Sequence, residues 1–519
     1  MASRRDELNA YTFAKKRTVA AFLRPSFGVS EEAAPRPLRS VVPGVVIGAL
    51  ILAGFGAWGM FKPTAPKGWD EPESHIIVGS DSTTRYVILK TGGKKQLHPV
   101  LNFASAKLLL TPDKSSIVDV KESELDDGHI PRGPTLGIPY APDRMPSESE
   151  ARKRKRWAVC EQPGGNQNTT QKAVFLFADR EARKVEGTQR LRGNKALYVE
   201  GSGGARYLVD PNGTKYLIGG EKGKQSTSEG EYNLLLRVLF HDGAKPQQVT
   251  NDWLNTFKDG SPIRFPSVQG EIKADAGVDT LSAKANRVGM VLQAKTGPGT
   301  QHYVVLPGKV ARISDFVARL LLGSDQLRSL DQAGVPERVS AADFASDGGE
   351  FYGDNDWPSL APRQANSVNA AEGGAARDTV CSILEGVSGN GTPKLGAWAG
   401  TEYPATVVDG ATSAYVTPGT GLLYRQYKGR GTKTGSVFLV TDTGLRYQVQ
   451  SNGDSSAGKP KVGDGDAKAD QTNPSNVNQA QIRLGYEGVD PLPIPATWSE
   501  FLPIGPRLDY NSARKPQGS

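Results

Sequence analysis

Residues that could carry chemistry are sparse in this chain of 519 residues, and the two cysteines form the clearest pair. Cys160 lies in Trp157-Ala-Val-Cys160 and Cys381 in Thr379-Val-Cys381-Ser-Ile, and both patterns predict short buried strands. A disulfide between them would close a loop of about 220 residues, which the chain-entropy treatment values at about 5 kcal/mol. Two separate buried thiols are the alternative, and we favour the disulfide.

Sites for nucleotides and metals do not emerge from the sequence. The strings nearest to a GxxxxGKS or GxxxxGKT phosphate loop lie at 223–226 and 431–434, and neither keeps Gly, Lys and Ser or Thr consecutive. The five histidines (positions 75, 98, 129, 241 and 302) form no HxH or HxxxH pair. With only two cysteines, the usual zinc and iron–sulfur centres are excluded. We therefore expect no catalytic residue, no cofactor and no bound metal.

The composition limits the fold and the partners. A net charge of +8 is modest for this length and does not imply a nucleic-acid partner. The content of 60 Gly and 35 Pro predicts many turns and short elements rather than long helices. The length predicts about two to four domains.

The longest apolar stretch decides the topology. It runs without a charge from Ser40 to Phe61 and is long enough as a helix to cross a hydrocarbon layer of ~30 Å. A cleaved signal peptide is the alternative, but prolines in the following segment FKPTAPKGW oppose a cleavage site. We expect an uncleaved membrane helix. Its Gly44 and Gly48 form a GxxxG pair, which would allow close packing against a partner helix.

The flanks predict the orientation of this helix. Residues 1–39 carry eight basic and four acidic residues, so the positive-inside rule places this tail in the cytosol and residues 63–519 outside. Residues 6–22 would form an amphipathic helix on the inner leaflet or dock a cytosolic partner; alternatively, the tail is solvated and only sets the topology. We expect a single-pass plasma-membrane protein.

A short phrase occurs four times in the predicted external part. It consists of a basic residue and a tyrosine, followed by the apolar residues of a strand. Its uneven spacing argues against a solenoid and favours small domains with inserted material. We favour a packing role, with the tyrosine in the core and the basic residue over the edge, above a ligand site. The four pairs are Arg85-Tyr86, Arg206-Tyr207, His302-Tyr303 and Arg446-Tyr447.

Helices are predicted at 100–110, 232–240 and 314–322, so each unit combines two or three strands with a helix. Between the first two units, the run from Arg152 to Arg156 is either a solvated basic turn or a contact for lipid head groups or an acidic partner.

These features predict an α+β protein with eight segments. They are a cytosolic basic tail (1–39), a transmembrane helix (40–61), repeat domain 1 (62–130), a linker with the first part of a central domain (131–190), repeat domain 2 (191–270), repeat domain 3 (271–345), a linker with the second part of the central domain (346–435) and repeat domain 4 (436–519).

Six phrases recur together in one protein family. They are RRDELNAYTF (4–13), GPTLGIPYAP (133–142), WAVC (157–160), VTDTGLRY (440–447), LGYEGVDPLP (484–493) and LPIGPRLD (502–509). In this order they resemble EccB, the single-pass membrane subunit of actinobacterial type VII (ESX) secretion systems, along nearly the whole chain. His302 in the third phrase and the long segment 453–476 depart from the pattern.

The resemblance implies an elongated external part with four small α+β repeat domains around a central β domain held by one disulfide. It implies three partners, an FtsK/SpoIIIE-like ATPase, a multi-spanning channel subunit and a mycosin protease, together with self-association of the external domain. The implied function is a structural core subunit that anchors and braces the complex for export of WXG100-type proteins. A peptidoglycan-binding module is the alternative, by analogy of the repeats with an endolysin fold. Some members carry an ATPase label, which no motif here supports.

Overall fold

The computed structural model of the protein describes residues 3–23, 38–60, 65–112, 114–164, 169–220, 228–297, 299–367, 376–407, 413–429, 431–450, 462 and 478–517. Two helices come first, α1 (Arg4–Leu23) and α2 (Leu38–Met60). Residues 41–58 of α2 have a mean hydropathy of 2.1, and no other part of the described chain covers them. Among the described residues, α2 is the one helix long and apolar enough to cross a membrane, as predicted. Phe61 lies outside the described residues.

The first small sheet, unit 1, follows this helix. In chain order its elements are β1 (His75–Gly79), β2 (Arg85–Thr91), β3 (Lys94–Pro99), α3 (Phe103–Leu109), β4 (Ser116–Val120) and α4 (Glu122–Leu125). The first three strands form an antiparallel meander, and β4 returns parallel to β1. A parallel return needs a crossover, and α3 supplies it. This helix begins after Asn102, whose side chain accepts a hydrogen bond from the Ser105 backbone N–H.

The chain then builds two of the five strands of a central sheet before it enters unit 2. The central elements are α5 (Glu148–Ala151), β5 (Arg156–Pro163), β6 (Thr170–Phe177) and α6 (Arg183–Glu186). The elements of unit 2 are β7 (Lys195–Glu200), β8 (Arg206–Val209), β9 (Thr214–Leu217), α7 (Glu229–Leu239), β10 (Gln247–Gln248), α8 (Asn251–Leu254) and β11 (Lys258–Asp259).

Unit 3 comes next, and the chain then returns to the central sheet. The elements of unit 3 are β12 (Val291–Thr296), β13 (Gly299–Leu306), β14 (Lys309–Ile313), α9 (Asp315–Leu322), β15 (Glu337–Val339) and β16 (Ser346–Glu350). The returning strands are β17 (Arg363–Gln364), which pairs with β7, and the central strands β18 (Thr379–Val387), β19 (Pro393–Gly400) and β20 (Ala414–Val416). The completed central sheet has the order β19-β18-β5-β6-β20.

Unit 4 closes the described chain. Its elements are β21 (Leu422–Tyr427), β22 (Val437–Val440), β23 (Arg446–Val449), α10 (Gln479–Arg483), β24 (Leu492–Pro495), α11 (Ala496–Ser499) and α12 (Tyr510–Ala513). All four units share one plan: a three-stranded meander, a helix, and a strand that returns parallel to the first strand. The fold is therefore mixed α and β, built from several small sheets.

Strand pairing extends two units past the limits predicted from the sequence. In unit 3, β16 ends at Glu350, beyond 345, and in unit 4, β21 begins at Leu422, before 436. The predicted limits followed the basic-Tyr phrase. The strands β16 and β21 carry no such phrase, so their membership shows only in the hydrogen-bonded register.

Shared cores connect the units. One face of the central sheet, with Trp157, packs with Trp253 of unit 2 and Trp498 of unit 4 in one cluster. Residues of units 1 and 4 form a second cluster. In a third, Phe316 of unit 3 packs among residues of unit 2 such as Leu235. The described units are thus connected in the order 1, 4, central sheet, 2, 3.

Candidate functional site: the disulfide and the repeated strands

The structure joins the two cysteines in a disulfide, as predicted. Cys160 of β5 and Cys381 of β18 are direct partners in antiparallel register, and both are fully buried. They lie on the face of the central sheet that carries Phe175, Phe177 and Trp398. The bond therefore ties together two strands that are separated by 221 residues and by all of units 2 and 3.

The tyrosines of the four phrases lie in or against the cores. Tyr86, Tyr303 and Tyr447 are buried, and Tyr207 is half-buried against the central core. The guanidinium of Arg132 lies 5.2 Å from the centre of the Tyr86 ring, and the Tyr303 ring meets Phe344 edge-on. These contacts are those of packed side chains.

The basic residues of the phrases contact groups in the same chain. Arg85 pairs with Asp143 at 3.2 Å, and Arg206 Nε donates to Glu200 at 2.7 Å. His302 Nδ1 lies 3.8 Å from an Asp315 carboxylate oxygen. In unit 4, the Arg446 side chain donates to the carbonyl of Leu502, to Gln426 and to Ser499. Each basic side chain therefore has a polar partner within the described chain; that these pairs form a structural signature of the repeats stays a prediction.

The fourth phrase occupies a different strand from the other three. Tyr86, Tyr207 and Tyr303 lie on the second strand of their meanders, whereas Tyr447 lies on β23, the third. Its counterpart in unit 2 is Tyr216, also on the third strand.

A shared glycine contact supports this equivalence. A Cβ placed on Gly260 would lie 2.4 Å from the Tyr216 ring, and one placed on Gly505 would lie 2.4 Å from the Tyr447 ring. In unit 1 the same third-strand position is held by His98, over which Gly133 lies. A basic residue followed by a tyrosine thus occurs on the second and on the third strand of a meander. The phrase alone therefore does not show which of the two strands it belongs to.

The basic run 152–156 is largely paired inside the protein. Arg152 pairs with Glu148, Lys153 with Glu150, and Arg156 with Glu186. Lys155 is buried, and its ammonium donates to the backbone carbonyls at 150 and 153. Four of the five cations therefore have partners within the protein, three of them on or beside α5 and one on α6.

Glu161 is a connecting residue that the sequence reading missed. It follows Cys160 on β5 and is fully buried, and its carboxylate accepts hydrogen bonds from the backbone N–H and the hydroxyl of Thr250 in unit 2. Burial raises the pKa of Glu161, and the Thr250 hydrogen bonds oppose that rise. The sequence does contain a signal for this role: Glu161 directly follows the four apolar residues 157–160 of a predicted buried strand.

No group of three or more His, Cys, Asp or Glu side chains within the described ranges is placed to hold a metal ion. On α2, a Cβ added to Gly44 or Gly48 would meet nothing within 4 Å among the described residues, so the predicted packing contact is one with another molecule.

One family model, described as "Type VII secretion system ESX-1, transport TM domain B", matches residues 1–518. The ESX-3 secretion system ATPase EccB3 of Mycobacterium tuberculosis is 27% identical over 516 residues, 92% of this chain and 83% of that protein. The ESX-1 secretion system ATPase EccB1 of Mycolicibacterium smegmatis is 26% identical over 64% of each chain. The ESX-2 secretion system ATPase EccB2 of M. tuberculosis is 31% identical over 62% of this chain and 59% of that protein. The chain thus spans slightly less than two thirds of the EccB1 and EccB2 relatives.

Solved structures share the fold. A chain of the intact ESX-5 inner membrane complex aligns with a TM-score of 0.56 at 20% identity, covering 100% of this chain and 96% of that one. A chain of the EccB3 dimer from the ESX-3 core complex aligns with a TM-score of 0.54 at 23% identity, covering 85% and 99%. Both support the mixed α and β architecture with several small sheets.

Replacing both cysteines with alanine is expected to lower the free energy of unfolding by about 5 kcal/mol, because the unfolded chain regains the entropy of a very long loop. Chemical denaturation of the full chain in detergent measures this loss. Ser382→Ala, a change at the buried residue beside Cys381, is the matched control for disturbance of the strand. An unchanged denaturation midpoint in the cysteine variant would reject the stabilising role.

Glu161→Gln is expected to change how stability depends on pH. Since the pKa of Glu161 is raised on folding, the folded state binds this proton more tightly than the unfolded state. Wild-type stability should therefore fall as pH rises from the ordinary glutamate pKa of about 4.3 through the raised value, relative to Glu161→Gln. Denaturation at a series of pH values measures the difference.

Glu122→Gln is the control, because the pKa of Glu122 is shifted in the opposite direction from that of Glu161. The backbone N–H groups of Ser82 and Asp81 lower the pKa of Glu122 to about 2, so wild-type stability should rise with pH relative to this variant. Equal slopes for the two variants would contradict the account of Glu161.

Proposed function

This chain belongs to the EccB family of type VII secretion systems, and we propose that it is a structural subunit of an ESX-type secretion complex in the plasma membrane. The observation that carries the proposal is the family match over residues 1–518, on a chain whose one candidate membrane helix precedes several interlocked sheets. In this role the helix anchors the protein, and the sheets brace the external part of the complex during export of WXG100-type proteins.

The anchor would contact a multi-spanning channel subunit. Residues 41–58 of α2 are not covered by the described chain, so their whole surface is available to lipid or to other helices. Gly44 and Gly48 lie one turn apart on one face and leave room for a close helix contact. We assign the partner contact to this face.

The proposed orientation places the N-terminus in the cytosol. The eight basic residues of 1–39 support it through the positive-inside rule, and the disulfide suits an oxidising external compartment. In this orientation α1 would meet the FtsK/SpoIIIE-like ATPase subunit. The sheets would face the mycosin protease.

The external part would act as a brace because its units are joined by shared cores rather than by linkers alone. We divide it into four repeat domains around the disulfide-tied central domain, with one basic-Tyr pair packed in each repeat. Self-association is supported by the relative solved as an EccB3 dimer. The names of the relatives contain the word ATPase, while this sequence lacks a GxxxxGKS or GxxxxGKT loop, and we assign no nucleotide site to it.

Gentle detergent extraction of the tagged full chain from its native membrane, followed by a native gel and mass identification, tests the role. We expect co-migration in a very large complex with an FtsK-like ATPase. Migration alone or as a simple dimer, where that ATPase stays assembled, would contradict the proposal and favour the peptidoglycan-binding alternative.

A double variant tests the helix face. Gly44→Leu with Gly48→Leu should reduce co-migration with the complex, because the larger side chains separate the helices. Gly54→Leu is the matched control: Gly54 is equally open, but at roughly 100° per residue it lies on another side of α2. Equal losses in both variants would reject the assigned face.

A further inference from the structure

A tyrosine stands where a turn calls for glycine. The backbone N–H of Ala141 donates to the carbonyl of Ile138 at 3.2 Å, with Pro139 second in the turn and Tyr140 third. Tyr140 has φ of 63°, in the left-handed region. Proline second and a positive φ third define a type II turn, in which the third position is ordinarily Gly or Asn. Tyrosine pays a conformational penalty there.

The ring of Tyr140 does not recover that penalty within this chain. Tyr140 is 88% exposed, while Ile138 and Ala141 on either side of the turn are buried. The turn therefore holds a large aromatic side chain out into solvent. Backbone strain of this kind is typical of residues that contact another molecule.

The turn is fixed to unit 1 by a series of hydrogen bonds. Leu101 N–H donates to the carbonyl of Leu136, and the Asn102 side chain donates to the carbonyl of Ile138. Phe103 N–H donates to the carboxylate of Asp143. Leu101 itself is 42% exposed on the same seam. The seam, defined as residues 101–103 and 136–143, thus presents two apolar side chains from a rigid base.

We propose that this seam is a contact surface between two copies of this chain, with Tyr140 as its anchor. The inference deepens the self-association included in the proposed function and rests on it. Aromatic side chains held rigidly at a surface are the residues that most often dominate binding energy at interfaces.

The membrane tether favours a second copy as the occupant. Ala65, five residues beyond the end of α2, already packs against the core of unit 1. Five residues span at most about 17 Å, so unit 1 stays close to the membrane in every copy. Copies in one membrane therefore hold their seams at the same height, which raises the effective concentration of like surfaces.

The charges beside the seam also suit a self-facing contact. Arg85 pairs with Asp143 at 3.2 Å, and Arg144 lies 3.6 Å from Asp442. The border therefore carries both signs in equal number, and two such surfaces do not repel each other. In an isologous contact one patch meets its own copy, so a border with both signs can place opposite charges against each other.

The fold and the contact respond differently to one substitution. Tyr140→Asn should leave the melting temperature of the full chain unchanged or higher, because Asn tolerates the left-handed conformation, yet weaken self-association in detergent at least tenfold. Tyr140→Phe should keep both. Val335→Asn, at a residue of unit 3 that is 63% exposed, is the matched control. Self-association of Tyr140→Asn equal to that of the wild type would overturn the inference.

Cross-linking identifies the occupant. Both natural cysteines are in the disulfide, so Arg144→Cys, beside the seam, supplies the one free thiol of the full chain and leaves Tyr140 in place. A bismaleimide of short reach should join two copies of the Arg144→Cys variant in native membranes, and Val335→Cys should not cross-link. A cross-link from position 144 to a different protein would overturn the assignment to a second copy.

The two proposals fail separately. A wild-type chain that never enters the large complex contradicts the proposed function. A wild-type chain that assembles, alongside a Tyr140→Asn variant that associates as tightly, contradicts only the seam.

Discussion

The pairing of β5 with β18 is the constraint on which the rest of the structure depends. These strands are separated by 221 residues at their cysteines, and no central sheet exists until the second has returned to the first. Units 2 and 3 lie in the chain between these two strands. The segment that contains both units must therefore start and end beside the central sheet. Closing so long a loop costs entropy in every folding event, and the buried disulfide removes that cost once it has formed.

Contacts with this sheet then fix the neighbouring units. Trp253 of unit 2 donates its indole N–H to the carbonyl of Val159 on β5, one residue before the disulfide. On the side of unit 4, the Trp157 ring meets Tyr424 edge-on. Farther out, Arg483 of unit 4 donates to the carbonyl of Leu110, which ends α3 in unit 1. The indole of Trp253 and the guanidinium of Arg483 thus find acceptors in a neighbouring part of the fold, and these hydrogen bonds help to hold the units in register.

Several elements could be predicted from the sequence because their signals are local. A charge-free run gives the membrane helix, and apolar residues around Cys160 and Cys381 give two buried strands. The position of each strand within its sheet could not be predicted from such local signals. Lys215-Tyr216 on a third strand and Arg206-Tyr207 on a second strand have the same sequence pattern. The partner of Glu161, Thr250, depends on a tertiary contact. The partners of Lys155 are local, and the spacing of Glu148 and Arg152 already suited a helical ion pair.

Hydrogen exchange of the full chain, followed by mass spectrometry, tests most directly whether the disulfide-tied sheet organises the units that follow α2. The account predicts that β5 and β18 exchange most slowly and at one common rate, because opening either strand breaks the core shared with units 2 and 4. Faster exchange in β5 or β18 than in strands β12 to β14 of unit 3, or separate rates for the two cysteine strands, would contradict it.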